Sequence, residues 1–454
     1  MLTKIKKKGK LRLILYSILI IHILFLVILF NKILFSSEIY QKVYLVYVFI
    51  LILSIAIIIY CIYKNLIKFY LAYFIIFVIT AYFFEIRIFH TNSKNIIDLK
   101  EEISSKNGLI FDSRSRERYI KDRRIEEKNI FPSIRFKNLN LELKEKSIYP
   151  LSGVSMTQTI LCNENGNFIE FFSDRFGYNN NDEVWDLKEI DFILIGDSFV
   201  LGNCVNREKN LLSNLEKLTN KRGLNLGYEN SGPLMQYATI REFKEIIVKK
   251  KINKIIWLFY DFNDLRDLEI EMKTRILNQY LENKNFSQNL INKQSVKDSI
   301  LKKIINNKLL VTSSLNKNLD RNDKIIKIKN FKEILILKNL RSKINVKYLL
   351  PKNKISFDKN DQKNINKIFN NIKEIEKDLG VDLILFYLPT HTWKSNDEII
   401  QIIKNKKIDV VDLYTELYEK KNRWDLFPYS LPGHFNPYGY KELSQIIFNF
   451  AFKD

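Results

Sequence analysis

Three long apolar runs open the chain, and the hydrophobic pattern changes after them. The runs are LILYSILIIHILFLVILF (13–30), VYLVYVFILILSIAIIIYCIY (43–63) and FYLAYFIIFVITAYFF (69–84). Crossing the hydrocarbon core of a bilayer takes about 20 mostly apolar residues. We therefore expect a membrane anchor at residues 1–90, with three transmembrane helices at about 12–35, 43–63 and 68–89.

The loops between these runs predict how the anchor is oriented. KIKKKGKLR precedes the first run, and Lys64 and Lys68 separate the second from the third, whereas the loop between the first and second carries less positive charge. Because positively charged loops stay in the cytoplasm, we expect a cytoplasmic N-terminus. Three crossings then place residues from about 91 onward in the periplasm or at the cell exterior. A third run that lay only in the interface would reverse this placement.

From residue 187 onward, short apolar segments alternate with amphipathic ones. The apolar segments favour strands at 192–196, 224–232, 254–260, 381–389 and 408–414. Helical periodicity favours helices at 210–220, 235–250, 361–380, about 396–405 and 437–452. Fully apolar strands separated by helices are typical of a parallel sheet with both faces covered. The pattern predicts a doubly wound α/β domain at residues 187–454.

Two stretches do not follow this alternation. Residues 91–186 are charged at first and turn-rich after about 151, which predicts a linker and a small lead-in of short strands and loops. Residues 265–350 are rich in Lys, Asn, Leu and Ile and have helical periodicity, which indicates a helical insertion. A lid and a partner-binding surface are both open interpretations of that insertion.

Composition narrows the range of partners and cofactors. The 454 residues carry a formal net charge of +22, which is compatible with nucleic-acid binding. The lysines are scattered, however, and the sequence has no Arg-rich tract or nucleic-acid motif, so a basic surface beside an anionic bilayer is the better interpretation. The four histidines are dispersed, and there is no phosphate-binding glycine loop. We expect no nucleic-acid partner, no metal and no cofactor.

The three cysteines fit the same layout. Cys61 lies in the second apolar run, whereas Cys162 and Cys204 lie in the part of the chain expected outside the membrane. An oxidising compartment permits these two to form a disulfide. Two free, buried thiols are the alternative.

Polar side chains follow several of the predicted strands. Because active sites of doubly wound sheets lie at the carboxyl ends of the strands, we expect these side chains to share one edge. A serine, a loop rich in backbone N–H groups, an asparagine and a histidine are the parts that acyl transfer requires. The positions are Asp197-Ser198 after the first strand, 225–232 after the second, Asn263-Asp264 after the third, and His434 before the last helix.

In these positions the sequence resembles the SGNH, or GDSL-type, hydrolases, a family marked by four blocks in a fixed order. The segments LCNENG, SDRFGYNN and GNCV also look like a membrane-anchored bacterial branch of the group. The resemblance covers roughly residues 187–454, apart from the insertion. The four blocks correspond to Gly196-Asp197-Ser198, the loop from Asn225 to Gly232, Asn263-Asp264, and His434 in GHFNPYGY.

The resemblance implies a flavodoxin-like, doubly wound parallel sheet of five strands. It also implies that Ser198 is the nucleophile and His434 the general base. The implied oxyanion donors are the Ser198 N–H, a backbone N–H in the loop from Asn230 to Gly232, and the Asn263 side chain, while Asp197 and Asp264 would support the site.

The chain departs from the family pattern in three places, one of which is Phe262, where the third block commonly has glycine. Asn230 stands where the loop usually has glycine, which is a mild change because asparagine tolerates positive φ. The aspartate that usually precedes the histidine is absent, since Leu431 and Pro432 occupy those positions. The group that orients the histidine is then Asp425, a backbone carbonyl, or nothing. His391 also follows a strand, and we expect it to be a loop or pocket residue.

Together these features predict a membrane-anchored, extracytoplasmic serine esterase that acts through an acyl-enzyme. Its expected substrates are O-acyl esters, such as O-acetyl groups, on cell-envelope or exported glycans, and envelope polysaccharide machinery is its expected setting. An O-acyltransferase that passes the acyl group to a glycan hydroxyl would use the same residues. The absent aspartate leaves a third interpretation open, a non-catalytic glycan-binding or scaffold protein.

Overall fold

A computed structural model describes most of the chain. The described residues are 16–20, 22–27, 30, 38–64, 66–92, 96–136, 148–316, 334–335, 337, 357, 359–390, 395–420 and 422–453. The internal contacts divide the chain into two compact units. One consists of Met1–Asn95 and Asn318–Lys354, and the other of Ile96–Lys317 and Ile355–Asp454.

The first unit contains the apolar runs. Two helices of 26 residues each occupy Glu38–Tyr63 and Ile67–Asn92, and they pack together around the buried side chains of Ile58 and Tyr70. Within the described residues, one helical stretch, Lys68–Arg87, is long and apolar enough to span a bilayer, and shorter apolar helices lie at Tyr16–Val27 and Leu51–Tyr63. Parts of the first predicted span lie outside the described residues, and three crossings stay a prediction.

The second unit is built around a five-stranded parallel sheet. Its strands are β4 (Phe192–Gly196), β5 (Gly223–Asn225), β6 (Lys254–Tyr260), β7 (Asp382–Leu388) and β8 (Asp409–Asp412). They are ordered β5-β4-β6-β7-β8, and every neighbouring pair is parallel. This is the order of a flavodoxin-like doubly wound sheet, in which ligands bind beyond the carboxyl ends of the strands where the order reverses. The predicted α/β sheet is confirmed, and the reversal lies between β4 and β6.

Helices cover both faces of this sheet, because successive strand residues point to opposite sides and almost all of them are apolar. Two separate clusters of buried side chains result, one containing Ile193, Ile195 and Trp257 and the other containing Phe192, Leu194 and Leu258. The helix predicted at 235–250 is divided at Phe243. The helices around the sheet are Ser198–Leu201, Leu211–Thr219, Pro233–Glu242, Lys244–Lys249, Asp261–Glu271, Lys359–Leu379, Asp397–Asn405 and Pro437–Ala451.

The lead-in belongs to the same unit as the sheet. Helices Ile96–Lys106 and Arg116–Glu126 precede a small sheet of β1 (Ile130–Pro132), β2 (Gln158–Ile160) and β3 (Glu170–Phe172), in which β2 pairs parallel with β1 and antiparallel with β3. Hydrogen bonds join the lead-in to the large sheet. The side chain of Asn180 donates to the Asn225 carbonyl (2.9 Å) and accepts from the Asn225 N–H (2.8 Å). These bonds fix the lead-in against the end of β5.

The described part of the insertion packs on the lead-in. Helices Arg275–Glu282 and Gln294–Asn316 follow β6 and its helix. The ammonium group of Lys297, 1% exposed, donates to Ser152 Oγ (3.0 Å), the Gly153 carbonyl (2.8 Å) and the Phe176 carbonyl (2.9 Å). A buried charge with three hydrogen-bond acceptors is satisfied, so this lysine holds the insertion and the lead-in together.

Candidate active site

Ser198 sits where β4 ends at the reversal point of the sheet. The chain turns sharply there, and Ser198 begins a helix of one turn that is capped by the Asp197 carboxylate, which accepts from the Phe199 N–H (2.9 Å). A Cβ at Gly196 would lie 2.5 Å from Val200 and 2.8 Å from the Leu258 carbonyl. Only glycine allows this turn to pack so closely, and the turn holds the Ser198 hydroxyl at the edge of the sheet.

His434 reaches the serine from the loop before the last helix. Asn436 caps that helix by accepting from the Gly439 N–H (2.9 Å), and Pro437 is its first residue, so the end of the loop is fixed. The Nε2 atom of His434 lies 2.9 Å from Ser198 Oγ. This is hydrogen-bonding distance for a general base and its nucleophile. The structure therefore brings together the two residues that the sequence assigned to proton transfer.

Glu164, which the sequence analysis missed, lies on the other side of the histidine ring. Its Oε1 is 3.0 Å from Nδ1 of His434, and its Oε2 accepts from the backbone N–H of His434 at 2.8 Å. Asp425 is exposed, and its carboxylate accepts from Asn422 instead (2.9 Å). The structure thus corrects the prediction that Asp425 orients the base. The lead-in, not the segment before the histidine, supplies the carboxylate.

Three features hold Glu164 in this place. A disulfide joins Cys162, two residues before it, to Cys204, six residues after Ser198. Gly433 leaves the room that the carboxylate occupies, since a Cβ there would lie 2.3 Å from Glu164 Oε2. The buried ammonium of Lys100 contributes a favourable charge interaction. The sequence Cys162-x-Glu164 could have revealed this role. Pairing of Cys162 with Cys204 brings Glu164, two residues further on, close to Ser198.

The electrostatics suit an ion pair between Glu164 and the imidazolium form of His434. Burial lowers the pKa of His434, but the Glu164 carboxylate outweighs burial and raises it above the ordinary imidazole value. Burial likewise raises the pKa of Glu164, but the charges of His434 and Lys100 hold it below the usual range. Each partner favours the charged form of the other. The imidazolium that forms when Ser198 loses its proton is therefore stabilised.

Asn263 stands across from the serine at the end of β6. One N–H of its amide donates to Asp197 Oδ2 (2.7 Å), which fixes the orientation of the side chain. An asparagine amide has a second N–H, which remains to point at an oxyanion. The Ser198 N–H begins a helix, and helix-initial N–H groups lack an intrahelical acceptor. Both implied donors are thus held near the nucleophile by Asp197 and its neighbours.

The third implied donor comes from the loop between Asn230 and Gly232. Gly232 donates its N–H to Glu271 Oε1 (2.6 Å), so the structure corrects its assignment to the oxyanion hole. Ser231 donates to the Tyr228 carbonyl (3.2 Å). The backbone N–H of Asn230 has no backbone acceptor among the residues that the structure describes. It adopts φ 56°, the left-handed conformation that asparagine tolerates, and is the loop's candidate donor.

The backbone N–H of Gly232 cannot serve an oxyanion because Glu271 accepts its hydrogen bond. Its carboxyl group is buried and accepts from the N–H groups of Gly232, Leu234 (3.1 Å) and Met235 (3.2 Å), at the start of the helix Pro233–Glu242. Burial raises the pKa of Glu271 to about 8, despite these three hydrogen bonds. The carboxyl group of Glu271 therefore fixes the loop that carries Asn230, although Glu271 itself is not part of the relay.

The remaining sequence-predicted residues have structural roles or lie elsewhere. Asp264 is buried in the first turns of the helix Asp261–Glu271, and its carboxylate accepts from the backbone N–H of Tyr260, the residue that precedes this helix (3.0 Å). His391 lies outside the described residues. The sequence predicted no metal site, but one group of metal-binding side chains, Cys162, Glu164, Cys204 and His434, meets beside the base.

The geometry forms a relay that can activate a hydroxyl group. Glu164 holds the proton on Nδ1 of His434, which leaves the Nε2 lone pair facing Ser198 Oγ. Such an arrangement of nucleophile, base and orienting carboxylate is recognised by its geometry and occurs on unrelated folds. It can attack a carbonyl carbon, and the Asn263 amide, which is held by Asp197, is the candidate donor to the resulting oxyanion.

Comparison with solved structures adds a distant likeness. A solved structure described as a lipolytic protein of the G-D-S-L family from Desulfitobacterium hafniense DCB-2 aligns with 57% of this chain and 99% of its own, at 13% identity and a TM-score of 0.29. No protein-family model and no curated protein matches the chain. At this identity and score the likeness carries no assignment of function, which rests on the geometry of the site.

Proposed function

We propose that the protein is a serine esterase that works through an acyl-enzyme. The observation that carries this proposal is the continuous relay from Glu164 Oε1 to His434 Nδ1 (3.0 Å) and from His434 Nε2 to Ser198 Oγ (2.9 Å). The non-catalytic interpretation was motivated by the absent aspartate, and the Glu164 carboxylate, 3.0 Å from Nδ1, supports the catalytic one. An ester is the proposed substrate because the sequence around Ser198 and His434 resembles the SGNH, or GDSL-type, hydrolases, and the relay can deliver the proton that the leaving alcohol needs.

The proposed reaction has two halves. In the first, Ser198 Oγ attacks the ester carbonyl while His434 Nε2 takes its proton, and the oxyanion accepts from Asn263 and the Ser198 N–H. His434 then returns the proton to the leaving alcohol, and the acyl group stays on Ser198. In the second half, a water molecule loses a proton to His434 Nε2 and attacks the acyl-enzyme. His434 then returns that proton to Ser198 Oγ as the acid leaves, which restores the serine and the neutral base.

A pair of variants tests this proposal on the full chain in detergent. The wild type should release p-nitrophenol from p-nitrophenyl acetate and show an acyl adduct by intact mass, and Ser198→Ala should lose both. Asp425→Asn is the matched control, because it removes an exposed carboxylate from the same region and should keep full activity. A folded wild type as inactive as Ser198→Ala, with no adduct, would contradict the proposal.

We also propose that the catalytic unit faces the outside of the cytoplasmic membrane. The three apolar runs and the charge of their loops support this orientation. A disulfide between Cys162 and Cys204 is also compatible with an oxidising compartment. Protease added to intact spheroplasts should cleave residues beyond 91 but leave the N-terminus protected. Protection of both regions would contradict the proposed topology.

O-acyl groups on envelope or exported glycans are the substrates we propose for such a location. An acyltransferase would use the same relay and let a sugar hydroxyl replace water in the second half of the reaction. The acceptor distinguishes the two: adding a deacylated glycan should accelerate deacylation of a transferase and leave a hydrolase unchanged. Released acetate and acetylated glycan, measured together, give the ratio of the two reactions.

A further inference from the structure

His434 and three neighbouring side chains carry atoms of the kinds that bind metal ions. They are Cys162, Glu164, Cys204 and His434 itself, and one donor atom from each lies within 4.8 Å of the others. The Cys204 sulfur is 3.7 Å from Nδ1, and Glu164 Oε1 is 3.0 Å from it. In the structure the two sulfurs form a disulfide, so neither is a thiolate.

We propose that reduction of the Cys162–Cys204 disulfide turns this cluster into a Zn²⁺ site. Two thiolates, one imidazole nitrogen and one carboxylate oxygen form the kind of four-coordinate set that zinc prefers. Zn–S bonds of about 2.3 Å and Zn–N bonds of about 2.0 Å place neighbouring donors roughly 3.3–3.8 Å apart in a tetrahedron. The four donors lie within 4.8 Å of one another, with Cys204 Sγ at 3.7 Å and Glu164 Oε1 at 3.0 Å from Nδ1. Shifts of about 1 Å bring them into that range, and the two sulfurs part when their bond is reduced.

The charges around the cluster also fit a divalent cation. The two thiolates and Glu164 would carry three negative charges in a largely buried place, which alone is unfavourable. Zn²⁺ together with the buried ammonium of Lys100, which already interacts with Glu164, balances them. A monovalent cation would leave one charge unbalanced. The disulfide form needs no cation, since Glu164 and protonated His434 balance each other.

Zinc binding and catalysis exclude each other at His434. A phosphine reductant takes an oxygen atom from water to become its oxide, and the two sulfurs leave as thiols. Zn²⁺ then displaces both thiol protons to solvent and takes the Nδ1 lone pair, so the proton of the neutral ring sits on Nε2. That nitrogen no longer accepts the proton of Ser198. This consequence for activity rests on the proposed function, whereas the binding of zinc does not.

The experiment uses the full chain in detergent, oxidised or reduced with a phosphine and then desalted without oxygen. Co²⁺ replaces zinc as the probe, because thiolate ligands give it charge-transfer absorption. We expect the reduced chain to bind one Co²⁺ with that absorption, Zn²⁺ to displace it, and the oxidised chain to bind none. Cys204→Ser should weaken the absorption. His434→Ala should lower the affinity about tenfold or more, since even outer-shell changes cost about 10–100-fold.

Esterase turnover and folding provide the second readout. Zn²⁺ should stop hydrolysis by the reduced chain, a chelator should restore it while the cysteines stay reduced, and the oxidised chain should be unaffected. A folded reduced chain that binds no Co²⁺, or binds it equally well in His434→Ala, would overturn the site. A reduced chain that unfolds, and whose circular dichroism spectrum Zn²⁺ does not restore, would also overturn the site. An esterase that fails altogether leaves the Co²⁺ result standing, which separates the two proposals.

Discussion

Replacing Glu164 with glutamine tests the relay most directly, because the two side chains have the same shape. Glu164 accepts two hydrogen bonds from one residue, from the His434 backbone N–H (2.8 Å) and from Nδ1 (3.0 Å). Glutamine has one oxygen for the backbone N–H and turns its NH₂ group toward Nδ1. Because that nitrogen must then accept, the ring proton moves to Nε2, and His434 loses the lone pair that faces Ser198.

The expected loss is large. The same exchange of carboxylate for amide lowers kcat about 10⁴-fold in a serine protease, because the histidine takes the wrong tautomer. We expect kcat to decrease about 10³- to 10⁴-fold for Glu164→Gln, or about 4–5.5 kcal/mol in activation free energy. The KM should change little, since Glu164 lies on the far side of the ring from the nucleophile.

The pH profile provides a signature that misfolding would not produce. In the wild type the Glu164 carboxylate holds the pKa of His434 above its ordinary value, so hydrolysis falls as the pH drops through that raised pKa. In Glu164→Gln the largest contribution that raises the pKa of His434 is gone, while burial still lowers that pKa and the charges of Asp197 and Glu229 still raise it. The acidic limb therefore moves to lower pH while the plateau falls. Initial rates with p-nitrophenyl acetate across pH 5–9, with thermal unfolding as a control, measure both. An unchanged plateau and limb would refute the role of Glu164.

Three further predictions concern the surroundings of the relay. Gly433→Ala places a Cβ 2.3 Å from Glu164 Oε2 and should lower kcat about 100-fold by displacing the carboxylate, measured beside an unchanged circular dichroism spectrum. Asn263→Ala should lower kcat about 10²–10³-fold with little change in KM, and an unchanged kcat would remove it from the oxyanion hole. Glu271 has a folded pKa of about 8, above its value of 4.5 in an unfolded chain, so its contribution to stability is complete below about pH 4.5 and is lost as the pH rises through 8. Glu271→Gln should therefore flatten the decrease in the free energy of unfolding between pH 5 and 8, and an equal slope in both proteins would contradict this.

The sequence predicts the sheet well because its signal is local. Each strand is a short apolar run between helices of clear period, and the resemblance to the SGNH, or GDSL-type, hydrolases implies the flavodoxin-like order that the sheet has. The prediction fails at Phe243, where one expected helix is two. The apolar runs alone do not fix how many helices span the membrane, since length and composition in the described residues support one such stretch, Lys68–Arg87.

Some residues of the candidate site could be predicted from the sequence and others could not, depending on whether the signal is local. Ser198 and His434 are recognisable because each follows or precedes an element with a fixed place on the sheet. Glu164 is 270 positions away from the histidine it contacts, and no periodicity relates the two. The error at Gly232 has a similar origin, because the carboxylate that takes its N–H comes from Glu271, at the far end of another helix. Contacts between distant segments decide these roles, and one sequence does not display them.

The place of Glu164 in the chain also limits how the chain can be shortened or recombined without losing the relay. Acid, nucleophile and base follow one another in that order, and the acid comes before the first strand of the large sheet. A gene fragment cut at the usual edge of such a domain, near residue 187, would encode a complete sheet with serine and histidine but without their carboxylate. Exchange of whole domains between genes would produce poor catalysts unless the break fell upstream of Cys162. The segment of the gene that must be kept together for this chemistry therefore begins upstream of the α/β domain that carries the serine and the histidine.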